Sequence, residues 1–182
     1  MKTLIFNGSP RKNGDTSQLL QKFCAGLDGE YRIVRAYDGA IKPCVDCRYC
    51  WEHPGCAIKD GMTEIYDWIA DCDNVVIASP VYFSELTGPL LSVLSRVQTL
   101  FCGRFFRGEE RKGGKRGAVI VVGGGDGSLD RAANTAKILL RQMGVDDILP
   151  VISFHDTNNH SAADDPEVCR LAAETAAALN CR

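Results

Sequence analysis

The chain has 182 residues, a formal net charge of −2 and 45% hydrophobic residues, enough to build one self-sufficient domain over 1–182. That charge excludes a general electrostatic pull toward nucleic acid or acidic lipid. No apolar run reaches the ~20 residues of a membrane span, and no charged-then-apolar leader precedes the first strand. With an odd count of nine cysteines, the expectation is a cytoplasmic protein without a secreted-type disulfide framework, acting on neither membranes nor nucleic acid.

Lys2 to Asn7 predicts a buried strand, and Thr16 to Leu27 a helix with Leu19, Leu20, Phe23 and Leu27 on one face. Tyr31 to Val34 predicts a second strand, and Met62, Ile65 and Ile69 the stripe of a second helix. A third strand covers Asn74 to Ala78. A third helix opens at Gly88-Pro89, with Leu90, Leu94, Val97 and Phe101 expected inward. Ala118 to Val122, Ala132 to Met143, Ile148 to Phe154 and Pro166 to Asn180 complete the pattern as strand, helix, strand, helix.

Five strand–helix units imply an α/β fold: three layers, with a doubly wound parallel five-stranded sheet and right-handed crossovers. Pro150 cannot donate to a ladder, which places the fifth strand at an edge. The flavodoxin-like order 2-1-3-4-5 satisfies that requirement. Every strand-to-helix loop then opens at the carboxyl edge of the sheet. Four loops meet there, at 8–15, 40–56, 79–87 and 123–129, and that rim is the expected active surface.

The first loop, Asn7-Gly8-Ser9-Pro10-Arg11-Lys12-Asn13-Gly14-Asp15-Thr16-Ser17, leads small, hydroxyl and basic residues into a helix N-terminus. Such a loop suits a phosphate. It is neither a Walker A loop nor G-x-G-x-x-G, so a mononucleotide fits better than ATP or a dinucleotide; a solvated turn capped by Thr16 is the plain alternative. Ser79-Pro80-Val81-Tyr82-Phe83-Ser84 offers aromatics as a platform for a flat ring, and Gly123-Gly124-Gly125-Asp126-Gly127 allows close backbone approach.

The densest signal is Cys44-x2-Cys47-x2-Cys50-x5-Cys56, within a cysteine-rich loop at 40–58. At the chain's average content, a window of thirteen residues would hold fewer than one cysteine. This spacing fits a polynuclear [4Fe–4S] cluster first, with free or disulfide-forming thiols and a zinc site as alternatives. His53, inside the loop, is expected to be exposed. The scattered Cys24, Cys72, Cys102, Cys169 and Cys181 are expected mostly to be small buried hydrophobes.

Gly8-Ser9-Pro10-Arg11-Lys12…Thr16, the cysteine run with Asp60, and Ser79-Pro80-Val81-Tyr82 resemble the NADPH-dependent FMN reductase-like family, and within it the iron–sulfur flavoproteins. The resemblance implies that Ser9, Arg11, Asn13, Thr16 and Ser17 hold the FMN phosphate. It implies further that Pro80, Val81, Tyr82 and Phe83 flank the isoalloxazine, and that Gly124, Gly125 and Asp126 close over its other side. The chain departs from the family pattern at Asp15, where a carboxylate repels phosphate unless turned away, at Gly61 and at Ser95.

The resemblance therefore implies an FMN-dependent NAD(P)H oxidoreductase, with Cys44, Cys47, Cys50 and Cys56 as cluster ligands feeding the flavin. No side chain is required as acid or base, although Tyr82 lies where it could shield the ring. A homodimer or homotetramer is implied, and a small-molecule acceptor or a ferredoxin-like protein as partner. The rivals are a non-catalytic electron carrier and a thiol redox sensor. Six basic residues between Arg104 and Arg116 could dock a 2′-phosphate, but an ordinary solvated connection at the opposite rim is the better reading.

Overall fold

β1 (Lys2–Asn7), β3 (Asn74–Tyr82) and β5 (Lys115–Val122) form the centre of a parallel sheet in the computed structural model, which describes residues 1–125 and 127–181. Ile5 lies between Ile33 of β2 (Glu30–Arg35) and Val76, and Val76 pairs on with Ala118. These central strands are apolar without alternation because both faces are covered. Leu4, Phe6, Val75, Ile77, Val119 and Val121 pack in one layer against α3 (Met62–Asp71), α4 (Gly88–Leu94) and α6 (Asp130–Gln142). Ile5, Val76, Ala78, Ala118, Ile120 and Val122 point the other way, onto α1 (Asp15–Ala25) and α7 (Pro166–Leu179).

The order is β2-β1-β3-β5-β6, as expected for five positions, but the sheet has seven strands rather than five. The fifth position is split into β6 (Val145–Ile148) and β7 (Ile152–Phe154), each parallel to β5. Pro150 falls in the gap, where its missing N–H costs no ladder bond. The other addition, β4 (Glu85–Leu86), turns back antiparallel on the end of β3. Phe83 and Ser84 link the two with φ of 53° and 61°, the paired left-handed conformation of a two-residue hairpin turn.

The third predicted helix is also divided. A 3-10 turn at Ser95–Val97 separates α4 from α5 (Gln98–Arg107). Leu90, Leu94 and Val97 are buried as expected. Phe101 is not: it is 37% exposed and stacks on Phe105, 5.4 Å away. The tighter 3-10 turn breaks the helical phase, so the apolar stripe read through Val97 does not continue to Phe101.

At the carboxyl edge the ends of β1 and β3 are locked together around Gly8. Its N–H donates to the Ala78 carbonyl (2.8 Å), and its own carbonyl accepts from the Thr87 hydroxyl (3.0 Å). A Cβ at Gly8 would stand 2.8 Å from Leu90 Cδ2 and 2.9 Å from the Ser79 and Thr87 hydroxyl oxygens. Both hydroxyls are held by hydrogen bonds and Leu90 is fully buried. Gly8→Ala is expected to cost about 1–3 kcal/mol by overpacking. Gly88→Ala, with nothing within 4 Å of its Cβ, is expected to stay within about 0.5 kcal/mol of the parent; urea unfolding of the two variants decides.

Candidate functional site

The loop after β1 is folded around one acceptor. The Arg11 carbonyl takes the Ser9 hydroxyl (3.0 Å), the Ser17 hydroxyl (2.8 Å) and the Gly14 N–H (3.3 Å). The Ser9 N–H is held by the Asn7 side chain at 2.8 Å. This curls the chain into α1, whose N-cap is Gly14 with no side-chain cap, so the expected alternative of a Thr16 cap is not what forms. The first-turn N–H groups of Asp15, Thr16 and Ser17 have no acceptor inside the helix and sit at its positive end.

Asp15 and Thr16 border a recess of about 160 Å³. Of the residues expected at the cofactor, Ser9, Arg11, Thr16, Pro80, Val81, Tyr82 and Gly124 line it together. Others are placed elsewhere. Asn13 is exposed outside it, and buried Ser17 spends its hydroxyl on the Arg11 carbonyl. Phe83 stands fully exposed at the tip of the β3–β4 turn, and Gly125 is exposed and outside the recess. Asp126 lies outside the described residues.

Asp15, the departure that threatened phosphate binding, lines the recess but is engaged. Its Oδ1 accepts the Ala162 N–H at 3.1 Å, and its Oδ2 is 3.9 Å from the Arg11 guanidinium. Thr157 and Asn158 also line the recess and were not expected. They belong to the loop after β7, the fifth strand position, tied in by the Thr157 N–H to the Gly123 carbonyl at 3.2 Å. The same edge rule that singled out four loops covers this fifth, and its polar run Asp156-Thr157-Asn158-Asn159-His160 was the available signal.

The cysteine loop lies apart. Cys44, Cys47, Cys50 and Cys56 line one recess of about 20 Å³, which shares no residue with the first. The loop runs down the outer face of α5 instead of staying at the rim. The Cys44 N–H donates to Ser95 Oγ (2.9 Å), the Thr99 hydroxyl to the Gly55 carbonyl (2.7 Å), and the Arg107 guanidinium to the Cys50 carbonyl. A short helix, α2 (Tyr49–Glu52), sets Trp51 against Phe106 with ring centroids 4.2 Å apart. His53 is exposed, as expected, and stacks on Tyr49.

Burial, with Cys102 and then Cys44 nearby, pushes the Cys50 thiol up to about 11. A metal binding there must displace its proton. Among the described residues no three His, Cys, Asp or Glu side chains converge as a ready metal-ligand set. Of the scattered cysteines, Cys24, Cys72 and Cys102 are buried; Cys169 is half-buried and Cys181 exposed.

Most of the basic segment is spent on ion pairs and hydrogen bonds within the chain. Arg111 meets Asp146 (2.6 Å), Arg116 meets Asp147 (2.9 Å) and Arg107 meets Glu109 (2.7 Å), while the Lys115 ammonium donates to the Cys72 carbonyl (3.0 Å). These partners account for four of the six basic residues as structure, and Arg104 reaches the Gln142 side chain.

Both flanks of the cysteine run are anchored at Asp60. Its Oδ2 accepts the Lys42 N–H and the Arg96 guanidinium, each at 2.9 Å, and its Oδ1 the Met62 N–H at 3.0 Å. Burial alone would raise the Asp60 carboxyl, but these donors outweigh it and hold it below the usual carboxylate range. A depressed folded-state value means the stabilisation is present above about pH 4, the unfolded value, and is lost as pH falls through the folded one. Asp60→Asn is expected to cost about 3 kcal/mol at pH 7 by leaving the buried Arg96 cation uncompensated. In urea titrations the gap between parent and variant should close on acidification.

The family model described as NADPH-dependent FMN reductase matches residues 1–159. An iron-sulfur flavoprotein of Archaeoglobus fulgidus is 33% identical over 126 residues, covering 65% of this chain and 60% of that protein. YwqN of Bacillus subtilis, named as a candidate NAD(P)H-dependent FMN-containing oxidoreductase, is 30% identical over 125 residues, covering 68% of this chain and 67% of that protein. Among solved structures, an FMN-dependent NADH-azoreductase of Bacillus anthracis in complex with FMN superposes with a TM-score of 0.66 at 16% identity, covering 100% of both chains. Smu.1420 of Streptococcus mutans superposes with a TM-score of 0.73 at 14% identity, covering 98% of this chain and 100% of that one. With the flavodoxin-like sheet order and the loop geometry already described, the match over residues 1–159 makes this chain a member of the NADPH-dependent FMN reductase family.

Proposed function

We propose that this protein is an FMN-dependent oxidoreductase that takes electrons from NAD(P)H and passes them to a small-molecule acceptor or an electron-carrier protein. The observation that carries the reading is the recess at the carboxyl edge, where Ser9, Arg11 and Thr16 at the uncapped N-terminus of α1 face Pro80, Val81, Tyr82 and Gly124. Its residues suit the cofactor. Helix-end amides, hydroxyls and one guanidinium answer a phosphate dianion, while the β3 turn supplies backbone and an aromatic for a flat polar-edged ring. FMN, when bound, supplies hydride and single-electron chemistry that no side chain here offers.

The chain's own residues hold, orient and expose. Arg11 and the α1 amides fix the anionic end, and the 47%-exposed Tyr82 covers the ring side while leaving it open to a second reactant. At about 160 Å³ the recess encloses less than the roughly 300 Å³ of a smaller whole-ligand pocket. Part of the occupant therefore lies in the open, where donor and acceptor have access in turn. Asn13 and Gly125 stay in this reading as exposed residues of the two loops that line the recess, and Ser17 and Phe83 as supports of the two turns.

Arg11→Ala is expected to weaken FMN binding about ten-fold, by loss of a charge-assisted contact, and to leave riboflavin affinity unchanged. Fluorescence titration with both flavins checks this. Equal loss for the two would move the phosphate elsewhere. Bleaching of bound flavin by NADH or NADPH without a mediator is the expected sign of the reductase; reduction only through a ferredoxin-like protein is the carrier's.

For the cysteine loop the proposal is a [4Fe–4S] cluster on Cys44, Cys47, Cys50 and Cys56. Their spacing, their common recess and the iron-sulfur flavoprotein names of several relatives support it. The thiolate set suits the group, and binding would draw the loop in around it. A loop of free thiols is the second reading, favoured by the lack of a ready ligand set among the described residues. Protein purified without oxygen is expected to yield four iron and four acid-labile sulfide per chain. Cys50→Ser should abolish both and Cys181→Ser neither. The separation of the two recesses within one chain favours a homo-oligomer, in which the cysteine loop of one copy meets the flavin of another; size measurement with and without cluster addresses that.

A further inference from the structure

Arg96 has a donor that neither recess, as described so far, uses. It sits in the 3-10 turn between α4 and α5, and its side chain is wholly out of solvent. Nη1 donates to the Lys42 carbonyl and to Asp60 Oδ2, both at 2.9 Å, and Nη2 to the Ile58 carbonyl at 3.0 Å. All three acceptors flank the cysteine run, two residues before Cys44 and two and four after Cys56. The neighbouring Ser95 holds the Cys44 N–H, and the Tyr66 hydroxyl donates to the Arg96 carbonyl at 2.9 Å. The guanidinium is thus clamped in one orientation, and its side chain lines the cysteine recess.

Of the two N–H groups this leaves, one on Nη2 and one on Nε, the second sits on a buried nitrogen with no acceptor at all; among the described residues, the other buried side-chain atom in that condition is Asn74 Oδ1. An unpaired buried donor on a charged group is expensive, so native proteins supply a partner from chain, water or bound group. The Tyr66 hydroxyl, already donating to the Arg96 carbonyl, and the Cys56 sulfur both lie near the guanidinium, but of the two only Cys56 lines the cysteine recess together with Arg96, so an acceptor bound in that recess is sulfur. We propose that Arg96 is a hydrogen-bond donor, through Nε–H, to a sulfur of the group held by the cysteine loop, either the Cys56 thiolate or an inorganic sulfide, and that it raises that group's reduction potential. Asp60 already neutralises the guanidinium charge, so the effect is that of a directed N–H and not of a net cation. Hydrogen bonds to cluster sulfurs stabilise the more negative, reduced state. This inference rests on the iron–sulfur reading of the loop.

The test uses the whole chain, purified without oxygen and labelled with ¹⁵N only in arginine side chains. Pulsed EPR on the reduced protein is expected to show a ¹⁵N hyperfine coupling. The coupling should be retained in Arg48→Lys and Arg107→Lys, and lost in Arg96→Lys. Lysine keeps the charge but lacks the rigid fork. Redox titration of Arg96→Lys, at unchanged iron and sulfide content, is expected to show a midpoint shifted to more negative potential. An assembled cluster with no ¹⁵N coupling in the parent, or an unshifted midpoint in Arg96→Lys, overturns the donor role and leaves the cluster standing. If Arg96→Lys fails to fold, the parent and the other two variants still decide by presence or absence of the coupling. Parent protein free of iron and sulfide overturns the cluster reading and this inference with it.

Discussion

Two parallel strands cannot be joined by a tight turn, so each pairing among β1, β3 and β5 obliges the chain to cross a face of the sheet before returning. The buried strands of this protein leave the crossovers no freedom. Val76 and Ile77 point to opposite apolar layers, and each layer must be roofed by helices. Once α1 and α7 cover one face and α3, α4 and α6 the other, every strand-to-helix loop is delivered to the same edge. The candidate cofactor recess is a consequence of that geometry, and Gly8 is where it is tightest: only a residue without a side chain lets the end of β1 lie against Thr87 and Leu90.

The second recess is held by different physics. It has no sheet beneath it and little apolar burial of its own, since Val45, Asp46, Cys47, Arg48 and Tyr49 are all exposed. Its shape comes from polar anchors along α4 and α5: Ser95, Arg96, Thr99 and Arg107 each reach a backbone group of the loop. A buried ion pair such as Arg96 with Asp60 adds little net stability over an apolar substitute but strongly penalises any other arrangement. That is a suitable way to hold a loop whose task is geometric. Two of the three departures from the family pattern, Gly61 and Ser95, fall on this scaffold. Ser95 accepts the Cys44 amide, and Gly61 sits where a Cβ would press on the Ala40 carbonyl at 3.1 Å.

Most elements were legible as periodicity. Continuous apolar runs announced β1 and β3, and stripes at helical spacing announced α1, α3 and α4, because burial on two faces or on one leaves those patterns in any chain. Pro150 announced an edge. Where the reading went astray, a tertiary or local detail outranked the pattern. The edge position broke into β6 and β7 around Pro150, and a 3-10 turn at Ser95–Val97 rotated Phe101 outward. The β4 hairpin depends on Phe83 and Ser84 adopting left-handed backbone, for which neither residue type gives notice.

The amino-acid order by itself determined the fold class, the edge at which the strand-to-helix loops gather, the small, hydroxyl and basic character of the first loop and the clustering of four cysteines, because these depend on residue types at short spacing. Which of those residues face one another is a long-range matter. Thr157 and Asn158 joined Ser9 and Tyr82, the cysteine loop was carried away from the rim onto α5, and Arg96 was turned toward Asp60 and the cysteines, all through contacts between segments tens of residues apart. Only packing of the layers sets such distances, and no local pattern records them.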